Sequence, residues 1–179
     1  MKQIFISFLV IVVVAGCGVS DPKRSNIAVD PATAVKINNS IPFTKGVPIA
    51  ANIRNDCTLQ KQLSEFIVAY AVGEGIGVLR ANSVSKKSNG KVLHVEITNA
   101  VSGGNAFIGH RKYVTIKGAL YNSGKKQAGF TAARVSSGGM FAGFKSSCSV
   151  LGRTVKALGS DISQWLKNPA DGVHLGDHV

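Results

Sequence analysis

Cys148, Leu151, Val155, Leu158, Ile162 and Trp165 follow one another at spacings of 3, 4, 3, 4 and 3. At about 3.6 residues per turn, that pattern puts them all on one stripe of a helix. So regular a stripe must lie full length against another apolar surface, which demands a second layer. Pro169 closes the helix, because proline cannot continue its hydrogen-bond ladder.

The middle of the chain supplies that surface. Leu93, Val95 and Ile97 alternate with His94, Glu96 and Thr98 over Val92–Val101, the period-two pattern of a half-buried strand. A strand from Gly77 to Val84 precedes it, and Ser88-Asn89-Gly90 between them predicts a tight hairpin turn. A glycine-rich loop, Ser102–Gly109, leads to a strand over Tyr113–Tyr121. Asn122-Ser123-Gly124 then predicts a second hairpin into Ala128–Val135. Two hairpins in series make an antiparallel meander. Val35-Lys36-Ile37 reads as an opening strand. Leu59, Leu63, Phe66, Ile67 and Tyr70 mark a first helix, capped by Asn55 or Asp56 and stopped by Gly73 and Gly75. Cys57 then falls in the entry turn. The expected fold is α+β: a two-layer sandwich, β-α-β-β-β-β-α, with both helices on one face of the meander.

The amino terminus is of another kind. Lys2 precedes an apolar run from Ile4 to Val14, followed by Ala15, Gly16 and Cys17. Ile4–Ala15 makes about 18 Å of helix, short of the ~30 Å hydrocarbon core. A positive start, a short apolar middle and small residues before the cut are the layout of a secretory signal peptide. Val14-Ala15-Gly16-Cys17 resembles the lipobox of bacterial lipoproteins. The resemblance implies cleavage before Cys17, a diacylglyceryl group on its sulfur, and acylation of the new amino terminus. In the sorting rule of enteric bacteria, Asp after the cysteine retains a protein at the inner membrane. Gly18 stands there instead, so the resemblance implies the outer membrane. The expected organisation is a signal peptide over 1–16, a flexible tether over 17–32, one domain over 33–167 and a disordered tail over 168–179.

Of the formal net charge of +12, only Lys2 lies before Cys17, leaving +11 on the mature chain. Such a charge favours anionic surfaces in general, and export argues against intracellular nucleic acid. The basic residues Lys86, Lys87, Lys91, Arg111, Lys112, Lys125 and Lys126 stand mostly near predicted turns, as on a solvated surface. With Cys17 lipidated, Cys57 and Cys148 remain to pair in an oxidising compartment. Closing that loop of about 90 residues contributes ~4 kcal/mol in the chain-entropy account. A catalytic cysteine would instead need His94 or His110 as its base.

Other motifs lose on inspection. Gly138 to Ser146 invites comparison with a phosphate loop, but Phe144 separates Gly143 from Lys145. What survives is a glycine-rich turn at a helix amino terminus, next to Lys145, able to hold an anion. Gly73-Glu74-Gly75-Ile76-Gly77 follows a helix and precedes a strand, the reverse of a dinucleotide fingerprint. His174 and His178 have a chelating spacing but sit in the tail, so no metal is expected. Glu65, Glu74, Glu96 and Asp161 do not pair in sequence for acid–base work, and Asp161 reads as a surface residue.

Two glycine-rich loops carry apolar side chains: Phe107 and Ile108 in one, and Met140, Phe141 and Phe144, with Lys145, in the other. Both follow strands that run the same way, which puts them at one end of the sheet. They are the candidate interaction site, or else the plug of the core's open end. The mature domain, roughly 33–167, resembles small domains of uncharacterised bacterial envelope lipoproteins. That resemblance is carried by Asp56-Cys57-Thr58-Leu59, by Cys148-Ser149-Val150-Leu151-Gly152-Arg153 and by Asp161-Ile162-Ser163-Gln164-Trp165-Leu166. It implies no activity. The expectation is a non-enzymatic, membrane-tethered periplasmic module that binds another envelope component, with no cofactor besides its lipid. The alternative is a carrier or sensor of a small anionic or lipidic ligand.

Overall fold

The stripe from Cys148 to Trp165 lies on a 21-residue helix, and Leu151, Val155, Leu158 and Ile162 are fully buried on it. The computed structural model describes residues 29–105, 109–136 and 146–179. In chain order the elements are β1 (Val35–Asn38), α1 (Ala51–Asp56), α2 (Leu59–Gly73), β2 (Val78–Ala81), β3 (Lys91–Asn105), β4 (Gly109–Asn122), β5 (Lys125–Ser136), α3 (Ser147–Lys167) and β6 (Val173–Gly176). The strands form one mixed six-stranded sheet in the order β2-β1-β3-β4-β5-β6. α2 and α3 pack on each other and on this sheet, an α+β fold.

The core lies between the helix pair and the sheet. Leu59, Leu63, Ile67 and Ala71 of α2 meet the α3 stripe, and Ile37, Leu93, Val95, Ile97, Ile116 and Phe130 face them from the strands. Phe130 packs edge-on against Trp165, ring centroids 4.7 Å apart. The two helices approach closely at Gly159, where an added Cβ would stand 2.6 Å from the Cβ of Phe66 and 3.0 Å from its carbonyl carbon. Beside this crossing, the Ser163 hydroxyl is within reach of the carbonyls of Ile67 (3.1 Å) and Gly159 (2.8 Å). Cys57 and Cys148 are joined, Cα atoms 5.0 Å apart, which ties the starts of α2 and α3. Cys57 has extended backbone between α1 and α2, as its placement in an entry turn anticipates.

Three expectations are corrected. The first hairpin does not form. β2 pairs in parallel with β1, and β1 lies between β2 and β3. Gly90 does make a turn, at φ +79°, but it meets the β4–β5 turn, where Ser123 N–H donates to Gly90 O at 2.9 Å. An Asn-Gly pair specifies the turn and not which strand lies alongside. Residues 82–90 instead form a strap over the face of β1 opposite the helices. Asn38, which alternation points outward, accepts a hydrogen bond from Val84 N–H at 2.7 Å, and Lys36 Nζ donates to Asn89 O at 3.2 Å. The helical connection from β1 to β2 runs over one face and the strap returns over the other. Reversing face and direction together gives both crossovers one hand, as parallel connections require.

Residues 168–179 are not a disordered tail, because β6 adds to the sheet edge in parallel with β5. Finally, Asn55 and Asp56 do not start the first long helix. They end the short α1, and α2 begins after Thr58.

Gly159→Ala is expected to destabilise the fold by ~1–3 kcal/mol, as overpacking does. Alanine's intrinsic helix advantage over glycine, about 1 kcal/mol, has the opposite sign. A denaturation midpoint at or above wild type would show that α2 and α3 do not meet at this residue.

Candidate functional site

β3 and β5 run in the same direction, with antiparallel β4 between them. β3 ends at Asn105, paired with Gly109, and β5 ends at Ser136, paired with Lys112. The segments after them therefore leave the sheet at one end. Phe107, Ile108, Met140, Phe141, Phe144 and Lys145 lie in those segments, outside the described residues. Much of Ser102–Gly109 is strand: glycine weakens side-chain packing but leaves the backbone ladder intact.

At the foot of these segments lies a cluster that sequence reasoning missed. Lys112 reads as a solvated surface residue, yet it is only 5% exposed. Its ammonium donates to Ser147 Oγ at 3.1 Å, and Ser102 Oγ donates to the same oxygen at 2.7 Å. Ser147 opens α3, whose neighbour Ser146 accepts from Ser149 N–H at 3.2 Å. A buried cation needs partners, and among the described residues this one has the Ser147 hydroxyl, which sits at the positive end of a helix dipole. Lys112 points inward because it continues the alternation of Ile116 and Val114, both buried. That register was legible, but its charge argued the other way.

The sheet face away from the helices is polar. On it, His94, Glu96, Lys117 and Tyr121, with Lys86 of the strap, line a shallow depression of about 170 Å³. Lys117 pairs with Glu96 at 3.0 Å, and Thr44 donates to the same carboxylate at 3.0 Å. Burial pulls the Glu96 pKa upward, but these two hydrogen bonds and the Lys117 charge outweigh it and hold it below the usual range. His94 is depressed, first by burial and then by the charges of Lys86 and Lys117, with Glu96 acting in the opposite sense. Cys57 is disulfide-bonded to Cys148, so neither thiol is free for His94 to activate. The His110 side chain lies outside the described residues.

Arg134 organises the far edge. It reaches Asp161 on α3 through two bonds of 2.8 and 2.6 Å, and Asp177 after β6 at 3.2 Å. Asp177 also accepts from Val135 N–H at 2.8 Å. The hydrogen bonds that Arg134 donates to Asp161, and the charges of both carboxylates, raise the Arg134 pKa against the effect of burial. Asp161 is therefore a half-hidden anchor, its side chain 14% exposed, and not a surface residue. This network is structural: it fastens the chain's end to strand and helix.

His174 and His178 stack on each other, centroids 4.7 Å apart. Among the described residues, no group of three or more His, Cys, Asp or Glu is placed to hold a metal. Nor, among them, is any helix long and apolar enough to cross a membrane. Gly73 and Gly75 sit where α2 stops, Gly75 at φ +78°, as a helix terminus requires.

No family model matches the chain, and no curated protein does. Solved structures do. A Xanthomonas campestris protein of the DUF330 family is similar at 14% identity, over 83% of this chain and 90% of that one, with TM-score 0.52. It shares this fold, and at that identity the likeness extends to the fold alone. A minor lipoprotein from Acinetobacter baumannii matches at 14% identity over 73% and 91% of the two chains, TM-score 0.42. The PelC dodecamer from Paraburkholderia phytofirmans matches at 12% identity over 79% and 93%, TM-score 0.44.

His94 binds its proton more weakly folded than unfolded. The unfolded chain therefore takes up a proton first as pH falls below about 6.5, and stability declines from there down to the folded-state pKa. His94→Gln is expected to flatten this part of the stability–pH curve. An unchanged slope between pH 7 and 5 in urea titrations would remove His94 as its source.

Proposed function

We propose that this chain is a lipid-anchored protein of the bacterial envelope, facing the periplasm from the outer membrane, and a non-enzymatic binding or accessory module. Val14-Ala15-Gly16-Cys17 carries the reading, behind an apolar run too short to span a bilayer. The Cys57–Cys148 bridge supports it, since persistent disulfides belong to oxidising compartments. The disposition of charge supports the non-enzymatic part. Arg134 with Asp161 and Asp177, Lys126 with Asp171, and Lys167 with Glu74 each join separate elements of the fold. In this reading the binding surface is the sheet end that carries Phe107 and Phe141.

Cys17→Ser is expected to move the protein from the membrane pellet to the soluble envelope fraction. Retention in the pellet after a high-salt wash would overturn the anchor. With the anchor intact, in-cell crosslinking is expected to capture one dominant envelope protein, with the yield falling severalfold in Phe107→Ala/Phe141→Ala. Equal yield from wild type and this variant would move the contact elsewhere.

A further inference from the structure

β1, β2 and β3 are mutually parallel and start at one end of the sheet, where β4 finishes and β5 begins. The described chain also begins there. Val29 lies against Gly77, just before β2, where an added Cβ would come within 2.8 Å of its side chain. The candidate interaction loops leave the opposite end.

Lysines gather at the starting end because two turns meet there. Ser123 N–H donates to Gly90 O at 2.9 Å, and Gly90 N–H donates to Ser123 Oγ at 3.3 Å. This contact brings the strap against the β4–β5 turn, with the Lys87 Cα 3.9 Å from where a Cβ on Gly124 would sit. Lys91 pairs with Asn122, which pairs in turn with Lys125. Lys86, Lys87, Lys91, Lys125 and Lys126 are all exposed. Only Lys126 of these has a carboxylate partner among the described residues, Asp171 at 2.7 Å. Lys86 lies over the Tyr121 ring, its Nζ 5.9 Å from the centroid. Lys167, at the end of α3, is neutralised by Glu74 at 2.8 Å. Among the described residues, Asp30 and Asp171 are the other acids near this end, so positive charge is in excess there.

Cys17 is separated from Val29 by only twelve residue steps. Even fully extended, at about 3.5 Å per residue, that chain spans only ~40 Å. A lipid on Cys17 would therefore hold the domain within that distance of a bilayer, attached at its lysine-rich end. Lys23 and Arg24 add two further positive charges within the connecting chain, against Asp21. Exposed lysines confined near a surface of anionic headgroups are attracted to it, over a range set by the Debye length.

We propose that the end formed by residues 85–90 of the strap, Lys91 at the start of β3 and the β4–β5 turn is a membrane-docking surface for anionic phospholipid headgroups. Docking there seats the domain lysine-end down and turns the ends of β3 and β5 away from the bilayer. The orientation rests on the anchor reading above, whereas the affinity for anionic lipid does not.

The test uses the purified mature chain from residue 17 onward, with Cys17→Ser, so that no lipid contributes. Binding is measured by co-sedimentation with phosphatidylcholine vesicles containing none or one-third phosphatidylglycerol. The expected result is binding to the anionic vesicles alone, weakened by added salt. The triple variant Lys87→Glu/Lys91→Glu/Lys125→Glu is expected to bind roughly tenfold more weakly or worse. Lys45→Glu/Lys61→Glu/Arg153→Glu changes net charge equally at other exposed positions and is expected to retain most of the binding. Melting curves establish that both variants are folded. Equal binding to neutral and anionic vesicles, or equal loss in the two variants, overturns the proposal. Failure here leaves the Cys17 fractionation result untouched, so the two readings fall separately.

Discussion

The contact between the apolar stripe of α3 and the sheet is the interaction on which the rest of the molecule depends. One face of this helix covers the strands, its flank meets α2 at Gly159, and its first turn is bridged to Cys57. Its last turn sets the carboxyl-terminal path as well: Trp165 packs on Phe130 and donates its indole N–H to Ala170 O at 3.0 Å. Burying the four fully enclosed side chains Leu151, Val155, Leu158 and Ile162 removes enough apolar surface to contribute on the order of 1.5–3 kcal/mol each. The bridge across 91 positions then restrains the unfolded chain over much of the domain's length.

Features governed by local periodicity were legible in the sequence. α3, the β3-β4-β5 meander and the strand at Val35 follow from spacings of three to four or of two. What escaped depends on distant partners. β1 inserts between β2 and β3 because a helical crossover and a strap pass on opposite faces, and an Asn-Gly turn carries no record of that. β6 has only four residues and no apolar run, and it is held by Arg134, Thr131 and the β5 backbone, all some forty positions away. The same holds for the candidate site. The flanks of the two loops do reach one end of the sheet, as equal strand directions require. Lys112, beneath them, was obscured because a lysine reads as surface until its strand register is known.

The resulting domain has two unlike ends. One carries the incoming chain, the strap and a group of lysines with few carboxylates. The other carries the disulfide, the start of α3 and the exits of β3 and β5. Between them, one sheet face is sealed by helices and the other is left polar, with Glu96, Lys117 and Thr44 satisfying one another. In the proposed function, this polarity would separate attachment from recognition. It arises from topology alone: parallel β1, β2 and β3 force the strap back to the starting end, and the meander forces the two loops to the far end.

The central claim is an exported, lipid-bearing chain with its two long helices covalently joined. The most direct measurement is the intact mass of the full-length protein extracted from membranes, before and after reduction. The account predicts a chain that begins at Cys17 and carries acyl mass. Reduction should add the mass of two hydrogens, from the Cys57–Cys148 bridge. Retention of residues 1–16, an unmodified Cys17, or no change on reduction would contradict it.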